Sequence, residues 1–261
     1  MKVYFIGAGP GAYDLITVRG ATILGQTPLV LYAGSLVPTE VLRHCHADAE
    51  IINTAMLNLD QQQAVYRRAQ QLGLSVARLH SGDPAIYGAT AEQMRRLEKL
   101  GIEYEVVPGV SSFTAAAASI KSELTKPEVS QTIILTRVSG RASAVPEREA
   151  IAALAEHGAT MCIFLSGPHL KKIVSDLRQY YSDDTPVALV YRVSWPDERT
   201  HRSKLGQLLS EVKMRDWKLT SMLLVGSVLA NDTDATESRL YAADYPHIFR
   251  KVKKRRERVS A

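Results

Sequence analysis

The chain is expected to form two α/β domains, the N-terminal one on a mostly parallel sheet and the C-terminal one on a mixed sheet, with the active-site cleft between them. Three observations carry that expectation. In about the first 120 residues, short apolar runs alternate five times with helical patterns, the order that builds a parallel sheet covered by helices on both faces. A polar stretch without period, Lys121 to Ser130, then interrupts the alternation and contains Pro127. Beyond it, two strand patterns, Pro186 to Tyr191 and Arg199 to Ser203, succeed one another across a short loop with no helix, which permits a hairpin and so a mixed sheet. The division is therefore 1–120 for the first domain, 121–130 for a linker, 131–230 for the second domain and 231–261 for a polar and basic tail.

In the first domain the strands are expected at Val3 to Ile6, Leu29 to Tyr32, Ile51 to Ile52, Leu74 to Leu79 and Tyr104 to Val107. Their helices start at Thr17, Pro38, Asp60, Thr90 and Ser111. Thr90 with Gln93 has the spacing of a capping box, so the fourth helix begins there and leaves a long loop before it. Ser111 or Ser112 caps the fifth. In the second domain, strands are expected near Thr132 to Leu135, Thr160 to Leu165, Pro186 to Tyr191, Arg199 to Ser203 and Met222 to Val225. Helices fall near Pro146 to Glu156, Leu170 to Tyr180 and Lys204 to Met214.

With 261 residues, 46% of them apolar, the chain can bury a full core. No apolar run approaches a membrane span, and Met1 leads straight into a strand pattern, so the expected compartment is the cytoplasm. The two cysteines, Cys45 and Cys162, lie far apart in sequence, which fits a reducing environment. His44-Cys45-His46 does not suggest a metal centre, because adjacent residues at a helix end diverge and no second ligand cluster accompanies them. The net charge of +5 belongs to the end of the chain: from Arg250 onward seven Lys or Arg face only Glu257, leaving −1 for everything before. Such a run is ordinarily a solvated tail, and nucleic-acid or phosphate binding through it is the lesser alternative.

The turn Gly7-Ala8-Gly9-Pro10-Gly11 comes directly after the first strand, and its glycines open the backbone to close approach. Gly7, Gly9 and Ala12 fit the dinucleotide fingerprint, and an NAD(P)-dependent oxidoreductase is thus an alternative of a different class. Three features weigh against it. Pro10 removes a backbone N–H, Asp14 brings negative charge where a pyrophosphate would sit, and the second strand ends Tyr32-Ala33-Gly34-Ser35 without an acid for the ribose. The fourth strand runs into the loop His80-Ser81-Gly82-Asp83-Pro84-Ala85-Ile86-Tyr87-Gly88-Ala89, longer than an ordinary strand-to-helix connection. The fifth runs into Val107-Pro108-Gly109-Val110-Ser111-Ser112, then Phe113, Thr114 and four alanines. These three loops gather at one edge of the sheet, rich in backbone groups and poor in Lys and Arg. A cationic cofactor with polar edges suits them better than a phosphate.

The GAGPG turn with the DLIT just after it, the SGDPAIYG loop and EVVPGVSS, in this order, resemble the three signatures of the S-adenosylmethionine-dependent tetrapyrrole methyltransferases of the cobalamin and siroheme pathways. The resemblance runs from Met1 to about Ala230. Glu123 to Arg141 and Val190 to Glu198 resemble the branch that methylates carbon 11 of precorrin-4. It implies S-adenosylmethionine between the two domains, with Pro10, Ser81, Gly82, Asp83, Ile86, Ser111, Ser112, Leu165 and Val193 as cofactor contacts. It also implies that the glycine turn, with Gly9 and Gly11, borders the substrate, and that the enzyme is a homodimer. The family usually has Asp where this chain has Ala12, so the role of that Asp is either absent here or taken by Asp14. An anionic tetrapyrrole calls for positive groups, for which Arg19, Arg137 and Arg141 stand near the motif loops. Asp83 and Tyr87 are weak candidates for assisting proton loss. Methylation at another ring position is the alternative within the family, and the presence of cobalt in the substrate stays open.

Overall fold

The computed structural model describes residues 1–139, 144–218, 220–230, 242, 245–246 and 248–250. The expected basic run from Lys251 onward, most of the tail and the candidate Arg141 lie outside the described residues. The short apolar runs become strands, and those at the centre of each sheet are covered on both faces. In the first sheet these are β1 (Lys2–Gly7), β2 (Leu29–Tyr32), β3 (Glu50–Asn53), β4 (Val76–His80) and β5 (Glu103–Val107), all parallel in the order β3-β2-β4-β1-β5. On one face Ile6, Val30, Ala77 and Leu79 pack under Leu24 of α1 (Val18–Leu24). On the other, Val3, Phe5, Leu29, Leu31 and Val76 meet Tyr66 and Ala69 of α2 (Leu59–Gln71) and Leu97 of α3 (Ala91–Lys99). Burial on both faces explains why these strands read as continuous apolar runs.

The second sheet is mixed, as the missing helix between two strand patterns implied. After α4 (Ser112–Ser119) come β6 (Ile133–Arg137), β7 (Thr160–Phe164), β8 (Pro186–Tyr191), β9 (Arg199–Lys204) and β10 (Ser221–Val225), in the order β6-β7-β10-β8-β9. Within it only β6 and β7 are parallel, and β8 with β9 is the expected hairpin. α5 (Ile151–Ala155), α6 (Leu170–Leu177) and α7 (Leu208–Glu211) cover one face. The other face, through Cys162, Ala188, Val190, Met222 and Leu224, is covered by α4. The sequence division at residue 120 therefore cuts through a packed unit: Ala115, Ala116, Ala117 and Ile120 take their core contacts from the second sheet. Alanines allow that close seating of helix on strand, and their pattern carries no sign of which sheet receives them.

Several expected helices are shorter than their patterns. The stretch after Pro38 is a 3-10 helix, Thr39–His44. Pro146 to Glu156 breaks at Ala150, whose extended backbone separates a 3-10 turn from α5. Lys204 to Met214 gives up its start to β9 and keeps only α7.

The Thr90 and Gln93 capping box is not formed. Thr90 already has helical backbone, and its hydroxyl donates to the Pro84 carbonyl at 3.1 Å. Gln93 is drawn into the core, where its Oε1 accepts from Tyr66 Oη at 3.2 Å and from Arg78 Nε at 3.3 Å. A buried guanidinium on β4 needs an acceptor more than an exposed helix start needs a cap. A capping box does form at Asn58 and Gln61, where each side chain bonds the other's backbone at 2.9 Å. Burial lowers the pKa of Arg78 and raises that of Tyr66 to about 12. Gln93→Leu leaves both groups buried without their shared acceptor, and thermal or urea unfolding should show a loss of about 3 kcal/mol.

Candidate active site

Strands β4, β1 and β5 are neighbours, so the loops leaving their carboxyl ends are neighbours too. They are in backbone contact. Gly9 and Gly82 exchange N–H···O bonds, at 2.7 Å from Gly82 N to Gly9 O and 3.3 Å in the reverse direction. A Cβ on Gly7 would lie 2.5 Å from Gly109 Cα and 2.6 Å from Gly82 O, and one on Gly109 would lie 2.2 Å from Gly82 O. Asp83 fastens the same junction: Oδ1 accepts from Ala85 N at 2.7 Å and Oδ2 from Gly109 N at 2.9 Å. Ser111 is the residue before α4, but its side chain makes no capping bond.

The second sheet supplies the facing wall. The loop after β8 reaches the glycine turn, with Trp195 Nε1 donating to Pro10 O at 3.0 Å and Ala12 N donating to Ser194 Oγ at 2.9 Å. The space beside Gly11 is filled by the Trp195 indole. Between these walls lies a cavity of about 230 Å³.

All nine expected cofactor positions line it: Pro10, Ser81, Gly82, Asp83, Ile86, Ser111, Ser112, Leu165 and Val193. Tyr87 lines it as well. Its ring packs edge-on to Phe164 at 5.0 Å between centroids, and its hydroxyl donates to Leu135 O at 3.4 Å. Burial raises the Tyr87 pKa, with Arg137 opposing the rise from 5.9 Å over the ring.

Of the expected substrate positions among the described residues, none lines the cavity. Gly9 is occupied with Gly82, Gly11 with Trp195, and Asp14 is exposed on the 3-10 turn Tyr13–Leu15. Arg19 is exposed on α1, where its charge is felt by Glu105. Arg137 stands next to the wall through Tyr87.

Other wall residues were not among the expected contacts. Val190, Thr220, Ser221 and Met222 belong to the second sheet or its approach and Phe164 to its strand β7, while Ala116 is one of the four alanines whose smooth helix start suits either a flat group or another helix. Arg192 and Trp195 lie inside the Val190 to Glu198 stretch, where Trp195 was the available clue. Arg192 stacks on Trp195 at 3.9 Å and pairs with Asp197 at 2.7 Å.

Beneath the loop, His80 is only 5% exposed. Its ring interacts with the Gly88 backbone, and Nε2 is buried without a hydrogen-bond partner among the described residues. Burial first, and Arg78 second, push its pKa down to about 3.

This junction sets two measurable outcomes. Gly109→Ala drives a Cβ into backbone that cannot yield, and melting should report a loss of about 3 kcal/mol or more. His80 binds its proton more weakly folded than unfolded, so it contributes stability that is present above about pH 6.5 and is lost as pH falls toward 3. Relative to His80→Phe, the native chain should lose about 2 kcal/mol between pH 7 and pH 5 in denaturant titrations. An unchanged gap at the two pH values would refute the neutral, buried state of the ring.

Three backbone donors at the glycine turn are used within the chain: Ala8 N bonds His80 O, Gly9 N bonds Gly82 O and Ala12 N bonds Ser194 Oγ. The turn leads into a three-residue 3-10 segment rather than a long helix. With these donors taken, Pro10 carrying none and no long helix N-terminus beside it, the turn is poorly built for a pyrophosphate, which weighs against the dinucleotide reading. Known proteins agree. The model of the tetrapyrrole (corrin/porphyrin) methylases matches residues 2–209. The chain is 50% identical to the precorrin-4 C(11)-methyltransferase of Pseudomonas aeruginosa over 250 residues, 96% of this chain and 99% of that one. It is 44% identical to the cobalt-precorrin-4 C(11)-methyltransferase of Methanocaldococcus jannaschii, over 97% of this chain and 98% of the relative. The solved structure of a cobalt-precorrin-4 methyltransferase of cobalamin biosynthesis matches with a TM-score of 0.84 and 42% identity, covering 88% of this chain and 96% of that one. The chain belongs to the tetrapyrrole methylase family.

Proposed function

We propose that this chain transfers a methyl group from S-adenosylmethionine to carbon 11 of precorrin-4, or of its cobalt form, in cobalamin biosynthesis. The observation that carries the reading is the cavity between the two sheets, lined by every residue expected to contact the cofactor, in a chain with near full-length relatives of that activity. The wall residues suit a cationic ligand. Asp83 is a carboxylate there, and the charge of Arg192 is met by Asp197. Hydroxyls of Ser81, Ser111 and Ser112 and the loop backbone offer polar partners, and Ala116 leaves room for a flat group.

When bound, S-adenosylmethionine supplies an electrophilic methyl on a sulfonium whose thioether leaves without acid assistance. The chain's part is alignment and exclusion of water, effects worth up to roughly 7 to 11 kcal/mol in well-oriented systems. Asp83 acts by holding the loops, since both its oxygens accept backbone N–H groups. Tyr87 keeps its proton, because burial disfavours the phenolate, so it shapes and orients the site as a phenol. Arg137, next to Tyr87, is the described residue best placed to meet a substrate carboxylate. The homodimer and the cytoplasmic compartment belong to the same reading. Light scattering tests the first, and the free cysteines Cys45 and Cys162 accord with the second.

Calorimetry should give micromolar binding of S-adenosylhomocysteine and none of NAD. Incubation with precorrin-4 and a labelled methyl donor should place the label on carbon 11 by NMR. Label at another ring carbon would overturn the position, and NAD binding in place of S-adenosylhomocysteine would overturn the reading.

A further inference from the structure

The geometry points to Glu198 as a positioning residue that sets the distance between the two walls of the cofactor cavity. This rests on the proposed function. Glu198 does not line the cavity, yet its carboxylate ties the end of α4, a helix whose Ser112 and Ala116 line it, to the loop after β8 that reaches the glycine turn. Oε1 accepts from the Ser119 hydroxyl at the end of α4, and Oε2 accepts from Ser194 N at 2.5 Å. Its own N–H bonds Trp195 O at 3.0 Å, which closes the loop on itself.

Ser194 depends on that bond. Its backbone is left-handed, with φ of 63°, a region that a serine enters only when its surroundings impose it. Held there, Ser194 presents Oγ to Ala12 N, and the next residue presents its indole N–H to Pro10 O and its ring to Gly11. Pro10 and Val193 stand on opposite walls of the cavity, one from the glycine turn and one from the loop that Glu198 organises. The carboxylate thus acts through Ser194 and Trp195 on the separation of residues that meet the cofactor. Alignment is sensitive at this scale: a misplacement of about 1 Å can cost on the order of 100-fold in rate.

Glutamine can keep the arrangement. Its carbonyl accepts from Ser194 N while its amide donates to Ser119 Oγ, since a hydroxyl serves as donor or acceptor. Alanine keeps neither bond, and aspartate, one methylene shorter, reaches only one partner. The full-length native chain and the variants Glu198→Gln, Glu198→Asp and Glu198→Ala would be titrated with S-adenosylhomocysteine by calorimetry, at a temperature where melting curves show each folded. Glu198→Gln should bind within about twofold of the native chain, while Glu198→Asp and Glu198→Ala weaken binding about tenfold or more. If alanine destabilises the fold, aspartate against glutamine carries the comparison. Native affinity in Glu198→Asp and Glu198→Ala would overturn the positioning role and leave the proposed function standing. Equal loss in Glu198→Gln would overturn it too, because the hydrogen-bond geometry would not be what matters. A native chain that does not bind S-adenosylhomocysteine would overturn both readings.

Discussion

The site depends on a contact between three backbones. Gly7, Gly82 and Gly109 come from three loops far apart in sequence, and they meet main chain to main chain, with no room for a side chain at Gly7 or Gly109. Their strands are adjacent, so the contact is the continuation of the sheet past its hydrogen-bonded end. The antiparallel bridge between Gly9 and Gly82 and the Asp83 carboxylate on Gly109 N then lock the loops as one surface. A loop cluster this tied is a rigid wall rather than a set of mobile tips, which is what methyl transfer by alignment needs.

That contact also explains why the glycine turn resembles a phosphate motif without being one. Close approach is the common requirement, and the residue pattern does not say what approaches. At Gly7 it is another loop, and at Gly11 it is the Trp195 indole. Three of the nitrogen atoms that bear on the two cases are spent on His80 O, Gly82 O and Ser194 Oγ. Their partners lie far away in sequence.

Legibility followed the same division. The order of strands and helices, the hairpin of β8 and β9, and the gathering of the loops after β1, β4 and β5 at one cavity could be read because each rests on local pattern or on motifs that recur together. Most of the cavity lining that could not be read comes from the second sheet. Val190, Ser221 and Met222 are strand residues, and burial in the sheet and exposure to the cavity call for the same apolar or small side chains. Gln93 was misassigned because its role is set by Arg78 and Tyr66, and a cap motif on the surface is cheaper to lose than an acceptor in the core.

Backbone strain marks the same wall. Among the described residues, non-glycine left-handed backbone occurs at Tyr87, Ala89, Leu165, Arg192 and Ser194, all on loops that border the cavity, and otherwise only at Lys121 and Glu128. Such conformations cost of order 1–3 kcal/mol each where they are strongly disfavoured, and they persist only when neighbours over-determine them. Here the neighbours can be named for two of them. Tyr87 is held by Phe164 and the Leu135 carbonyl, and Ser194 by Glu198 and the Ala12 N–H. In both cases the restraint links the first sheet's loops to the second sheet. The strained residues are therefore positioned by the packing of the two halves on each other, and the cavity's shape is a property of that junction rather than of either sheet alone.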